Sequence, residues 1–182
     1  MRIPRLLMIA SFMIMLAVNA LAAATPVIGG RLTSEVSDKY PTLITPAGYV
    51  FSIWSIIYLL LGVFVVYHVL PGRDREEVVE KIWRLFVLNC LLNASWILIW
   101  NYEQVVYSVI LMFLILASLI AIYKRLKIGR VPADLRVKLT THLPFSVYLG
   151  WITVATAANV AAALVSLGWD GFGLPQETWP WW

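Results

Sequence analysis

Five stretches of the chain, each roughly 20 residues long and almost free of charge, fix what it can fold into. They run from Leu6 to Ala24, Ala47 to His68, Ile82 to Trp100, Val105 to Tyr123 and Leu143 to Leu167. A helix needs about 20 apolar residues to cross the hydrocarbon of a bilayer, and within the last four stretches the only formal charge is Arg84, at the start of the third. Only 13% of the residues are charged and 61% are hydrophobic, whereas a soluble domain carries about 25% charged residues. With 182 residues there is room for five spans and short loops but for no sizeable soluble domain. The expected fold is an all-α integral membrane bundle of five transmembrane helices, forming a single domain across residues 1–182.

The first stretch has a second reading. Arg2 and Arg5, the apolar run from Leu6 to Val18 and the Ala20-Leu21-Ala22 triplet also describe a cleavable secretory signal. Because the stretch is long enough to span, it is read as a retained helix. Orientation follows from the basic residues, since cytoplasmic loops collect Lys and Arg. Arg31 and Lys39 fall on one side, and the rest of the 14 Lys and Arg fall on the other. The N-terminus is therefore expected in the cytoplasm and the C-terminus outside, in a multi-pass protein of the plasma membrane. The net charge of +4 belongs to these loops, where a topology determinant and a contact with anionic headgroups account for it, and it implies no nucleic-acid partner. Cys90 is the sole cysteine, which leaves no disulfide framework and no zinc spacing.

Residues 25–46, with Pro26, Gly29, Gly30, Pro41 and Pro46, form a long first connection. Loops of this length are often lids or binding segments, although a slack connector fits the length as well.

Three of the apolar stretches carry a polar and aromatic stripe. Asn89, Asn93, Trp96 and Trp100 recur at helical spacing on the third, extended by Phe86. Phe51, Trp54, Tyr58 and Gly62 do so on the second, and Tyr148, Trp151, Ala155 and Asn159 on the fifth. An amide facing lipid would go unpaired, so these faces are expected to point into the bundle. Interfacial belts account for Trp83, Trp100, Trp169 and Trp179 to Trp182. They account less well for Trp54 and Trp151, which lie on the order of 10 Å inside their spans at 1.5 Å per residue. Two readings of the stripes stay open on the residues alone. One is helix packing through small and amide side chains. The other is a cavity lined by flat rings, suited to a large, planar, mostly apolar ligand.

Ionisable residues inside a membrane mark proton relays and gating charges, and the apolar cores here contain none, which argues against a proton-coupled pump or a voltage sensor. His68 and His142 fall at cytoplasmic helix ends and read as solvated or capping groups rather than haem ligands. No Ser/His/Asp set or paired carboxylate falls within the spans, so no dedicated catalytic constellation is expected.

The stripes resemble those of a known family. The run from Pro46 to Gly62, containing Trp54 and Tyr58, is similar to the second helix of the tryptophan-rich sensory protein (TspO/MBR, translocator protein) family. Asn93-Ala94-Ser95-Trp96 resembles its third-helix Asn-x-x-Trp, and Tyr148-Leu149-Gly150-Trp151 with Ala155-Thr156 and Asn159 resembles its fifth-helix pattern. The chain departs from the family in lacking a Trp-x-Pro-Pro element before Pro46 and in placing Pro144 three residues earlier. It also lacks the sterol-recognition pattern after the fifth helix, with a loose match around Tyr123 instead.

The resemblance implies a divergent member of a five-helix family, often homodimeric. Its members bind porphyrin or haem-like tetrapyrroles, and sterols in animals, in a pocket closed by the first loop. Carried over residue by residue, Trp54, Tyr58, Asn93, Trp96, Trp151 and Ala155 are the expected ligand-binding positions. Arg31 or Lys39 is expected to meet the ligand's propionates. No cofactor is required on this reading, and porphyrin or haem enters as ligand. Porphyrin breakdown using Trp54 and Trp151, passive transport of small apolar molecules, and a pure scaffold are the competing functions.

Overall fold

The computed structural model describes residues 2–42 and 44–169, most of which are helical, with no strand among them. Five helices are long and apolar enough to cross a membrane: α1 (Arg2–Ala24), α3 (Ile53–Val69, entered through a 3-10 turn at Gly48–Ser52), α4 (Arg73–Asn101), α5 (Val105–Arg125) and α7 (Leu143–Ser166). A short helix α2 (Thr33–Lys39) sits within the first connection, and a single turn α6 (Leu135–Val137) leads towards α7. The chain is thus a multi-pass membrane protein in contact with the lipid bilayer.

Two elements start earlier than the apolar stretches indicate. α4 begins at Arg73 because Asp74 and Glu76 occupy its first turn, where the N-terminal end of the helix dipole favours carboxylates. Lys81 also pairs with Glu77 one turn away, at 2.6 Å. At 29 residues α4 is about 44 Å long, more than the roughly 30 Å of hydrocarbon, so its charged turns extend past the apolar layer. The last helical stretch begins at Leu135. Between α6 and α7 the backbone widens into a π turn over Lys138–His142, directly before Pro144, which has no N–H to give to a regular helical ladder.

The helices pack in the series α1, α4, α5, α7, with α3 touching α1, α4 and α7 more sparsely. Amides hold the closely packed pairs together. Asn19 on α1 donates to Asn93 Oδ1 on α4 at 2.8 Å. Asn89 on α4 donates to Ser118 Oγ on α5 at 2.8 Å, and Asn159 on α7 donates to Ser108 Oγ on α5 at 2.8 Å. Each amide is buried, and Asn89, Asn93 and Asn159 lie on the stripes whose helical spacing turns them inward. Where water is absent, such bonds satisfy groups that would otherwise be unpaired. Below them Phe64, Phe86 and Phe145 interlock, with Phe64 and Phe145 at 4.9 Å edge to face. The outward residues, among them Ile56, Leu59 and Val66 on α3 and Ile110 and Phe113 on α5, are exposed apolar side chains for lipid to cover.

His68 differs from its expected solvated role. It is 2% exposed, with Nδ1 2.9 Å from the Phe64 carbonyl and Nε2 3.4 Å from the Thr141 hydroxyl. The Arg5 side chain closes this end by donating to the His68 carbonyl at 3.3 Å and pairing with Glu76 at 3.4 Å. Sequence placed His68 at a helix end but could not show that α1 and the π turn before α7 converge over it.

Candidate ligand-binding site

Because α3 stands off from α4 and α7, the gap is filled by rings rather than by close helix contact. Trp54 is the hub. It stacks on Tyr58 at 5.7 Å and on Trp96 at 6.0 Å, and meets Tyr148 at 6.2 Å and Trp151 at 6.1 Å edge to face. Trp96 in turn stacks on Trp100 at 5.7 Å. Offset-stacked and edge-to-face pairs at these distances are the arrangements that aromatic quadrupoles favour.

A cleft of about 40 Å³ opens among Trp54, Trp96, Trp151 and Ala155, roofed by Ser37, Tyr40, Thr45 and Pro46 of the first connection. On the other side of Trp54 and Phe51 lies a larger cavity of about 340 Å³ between α1 and α3. Tyr58 belongs to this second space. No Lys, Arg, Asp or Glu lines either space among the described residues. Among the same residues, Tyr58 Oη and Trp151 Nε1 are the buried side-chain polar atoms left without a hydrogen-bond partner.

The expected positions therefore come together, with one difference in kind. Trp54, Trp96, Trp151 and Ala155 line the cleft, Trp54 and Tyr58 line the cavity, and Asn93 lines neither. Asn93 is fully buried, accepting from Asn19 and donating to the Tyr148 hydroxyl at 2.8 Å, so it braces the wall behind Trp54. Trp96 is similarly braced, its indole N–H donating to Asn159 Oδ1 at 3.0 Å.

The roof is tied to the end of α4. The Asn101 amide donates to the Arg31 carbonyl at 3.1 Å and the Ile28 carbonyl at 3.4 Å, and its oxygen accepts from the Thr33 hydroxyl at 3.1 Å. Trp100 was expected in an interfacial belt. It is instead 5% exposed and donates its indole N–H to the Thr33 carbonyl at 3.2 Å, anchoring the roof. Trp83 lies beside the Arg84 guanidinium, 5.1 Å from its ring centre, and Trp179 to Trp182 lie outside the described residues.

Arg31 and Lys39 are both engaged by Glu103 in the turn between α4 and α5, Arg31 Nε at 2.9 Å from Oε1 and Lys39 Nζ against Oε2. The Lys39 ammonium, together with the Arg31 charge, holds the Glu103 carboxyl below its ordinary value. A ligand carboxylate would have to displace Glu103 to reach either cation. Asn19, Asn101 and Glu103 lie outside the stripes and the expected site positions. An amide inside the first apolar stretch was a legible sign for Asn19. Nothing local marked the other two.

These features define a class: a small multi-pass membrane protein whose helices enclose an uncharged, ring-lined space under a pinned loop. The TSPO-like protein family model matches residues 5–181, and the chain belongs to that family. Membership places it among membrane proteins of ligand binding or transport. No curated protein matches the chain, and no solved structure does.

Proposed function

We propose that the protein binds planar, mostly apolar ligands, with porphyrin or haem-like tetrapyrroles as the leading class, in the cleft beside Trp54. The observation that carries this reading is the ring cluster itself: Trp54 has four aromatic neighbours within 6.2 Å, next to a Trp151 N–H that has no acceptor. A tetrapyrrole offers a wide π-face to the indoles and an acceptor to Trp151. In this reading Trp96 and Trp151 flank the ligand, Ala155 leaves room at its edge, and Asn93 and Tyr58 support the Trp54 side.

Ligand pockets are usually about 300–1,000 Å³, so a cleft of about 40 Å³ is the closed state. Entry requires the roof to lift from Asn101 and Glu103 and α3 to part from α7. The sparse packing of α3 favours that movement over any involving α4 or α5. The protein acts as a sensor or carrier and uses no dedicated catalytic set. The asymmetry of basic residues favours a plasma-membrane location with the N-terminus in the cytoplasm, and the family resemblance favours a homodimer.

A thermal-shift screen of the purified protein against protoporphyrin, haem and sterols tests the ligand class. A ligand that binds only the folded state stabilises by about 2.7 kcal/mol at one hundred times its Kd. Protoporphyrin or haem should raise Tm in a concentration-dependent way. A Tm unmoved by either at saturating concentration contradicts the reading.

A further inference from the structure

The cavity of about 340 Å³ between α1 and α3 opens sideways. Ala20, Ala23 and Ser55 on its rim are exposed, whereas Asn19, Thr33 and Ile97 behind them are buried. Its mouth therefore faces the bilayer between two spanning helices that pack sparsely against each other. The walls are graded along the bundle. Leu16 lies about 12 Å below the end of α1 at Ala24 and marks an apolar end. Ser34, in the first turn of α2, and Ser55, in the first turn of α3, lie towards the end covered by the first connection.

Several of the polar groups on these walls are already engaged. The Thr33 hydroxyl donates to the Asn101 oxygen at 3.1 Å, and both Asn19 amide hydrogens are held, by the Met15 carbonyl and by Asn93 Oδ1, each at 2.8 Å. The Tyr58 hydroxyl is enclosed beside Asn93, Tyr148 and Cys90, away from the cavity, so Tyr58 adds only its ring. The Ser34 and Ser55 hydroxyls bond to no described residue, and neither does the indole N–H of Trp54 on the wall shared with the cleft. Hydrogens are thus left to give at the end nearer the first connection. An ester carbonyl, which accepts and cannot donate, complements them. Ester groups join the chains of a phospholipid to its headgroup at the edge of the hydrocarbon, where spanning helices end. No Lys, Arg, Asp or Glu lines the cavity among the described residues, so nothing inside would offset the desolvation of a phosphate or an ammonium group.

We propose that this cavity is a binding site for one acyl chain of a bilayer phospholipid, whose ester carbonyl takes hydrogens from Ser34 and Ser55. With about 30 Å³ as the share of one water in the liquid, the cavity holds roughly a dozen non-hydrogen atoms, which is an ester group and the upper part of one chain. The chain runs from the serines past Ala20 to Leu16, and the charged headgroup stays outside the mouth.

The test is photolabelling by a trace of diester phosphatidylcholine carrying a diazirine partway along one chain, diluted into nanodiscs of diester or of diether phosphatidylcholine. The diether lipid keeps the headgroup and chains but lacks the carbonyls. Residues 16–23 and 53–58 should be labelled in excess of the exposed α5 face at Ile110 and Phe113. That excess should be about five- to tenfold greater in the diether nanodiscs, as two hydrogen bonds of the size found between membrane helices would give. Neither serine hydroxyl bonds within the protein, so Ser34→Ala combined with Ser55→Ala keeps the fold; it should erase the difference between the two nanodiscs. Ala20→Phe, which fills the mouth from α1, should remove the excess in both. Labelling of α1 and α3 no greater than that of α5 overturns the proposal, as does an equal excess in the two lipids or a difference that survives the serine substitutions.

Discussion

The indole N–H of Trp96 on α4 ends on the amide oxygen of Asn159 on α7 at 3.0 Å, and the Asn159 amide continues to Ser108 on α5 at 2.8 Å. Ser108 gives its own hydrogen to the Val105 carbonyl at 2.6 Å, so three helices share one chain of bonds at the edge of the cleft. Asn159→Ala leaves the Trp96 N–H buried without an acceptor and should cost about 1–3 kcal/mol of stability. Unfolding in mixed micelles checks this. A double cycle with Trp96→Phe should return a coupling of about 0.6–1.7 kcal/mol, and a coupling of zero would mean that the bond contributes nothing.

Gly29 and Gly30 provide an internal comparison. Both have positive φ, 71° and 76°, so alanine at either is strained by about 1–3 kcal/mol. At Gly29, however, an added Cβ would stand 2.0 Å from the Asn101 carbonyl oxygen, whereas at Gly30 nothing lies within 4 Å. Gly29→Ala should therefore speed hydrogen exchange across residues 25–40 far more than Gly30→Ala. Equal effects would show that the loop does not rest on the end of α4.

The Glu103 latch has a predictable pH dependence. Its carboxyl titrates below the ordinary value because of the Lys39 hydrogen bond and the Arg31 charge. The latch therefore contributes fully above the unfolded carboxylate value of about 4.3 and is lost as pH falls through the lower, folded value. Exchange in the roof, corrected for intrinsic rate, should stay constant from neutral pH to about pH 5 and then rise in acid. In Glu103→Gln it should be raised at neutral pH and show no such step. A step that persists in Glu103→Gln would assign the acid sensitivity elsewhere.

The unpartnered hydroxyl of Tyr58 makes a further prediction about stability alone. Removing a buried polar group that lacks a partner relieves its desolvation cost. Tyr58→Phe should leave Tm unchanged or raise it. Tyr148→Phe removes the hydroxyl that accepts from Asn93 and should lower stability by about 1–3 kcal/mol. A loss of similar size in Tyr58→Phe would reveal a bond that the hydroxyl makes after all.

Periodicity carried much of this into view. Apolar stretches of spanning length foretold the five helices, and the stripe on α4 foretold the face that turns inward, because an amide in a bilayer must find a partner; on α3 the buried face is instead Ile57, Leu61, Phe64, Val65 and His68, with Trp54 and Tyr58 half-buried beside it. Depth and distance were not legible. Trp100 lies on the same stripe as Trp96, and only the return of the loop over α4 turns it from an expected belt residue into an anchor for Thr33. Glu103 sits in a turn of four residues, with no local sign that Arg31 and Lys39 would converge on it. The spacing that placed Trp54, Trp96 and Trp151 on facing stripes could not tell how far α3 stands from α7, and that separation sets the size of the cleft.

In the proposed function the rings around Trp54 form a binding site for a planar ligand. Titrating the nanodisc-embedded protein with protoporphyrin, and following tryptophan quenching in the unmodified chain and in Trp54→Phe and Trp151→Phe, tests it most directly. Saturable quenching is expected in the unmodified chain, with a half-saturation that rises about tenfold in each variant, equivalent to about 1.4 kcal/mol. Saturable quenching with the same half-saturation in all three proteins would contradict it.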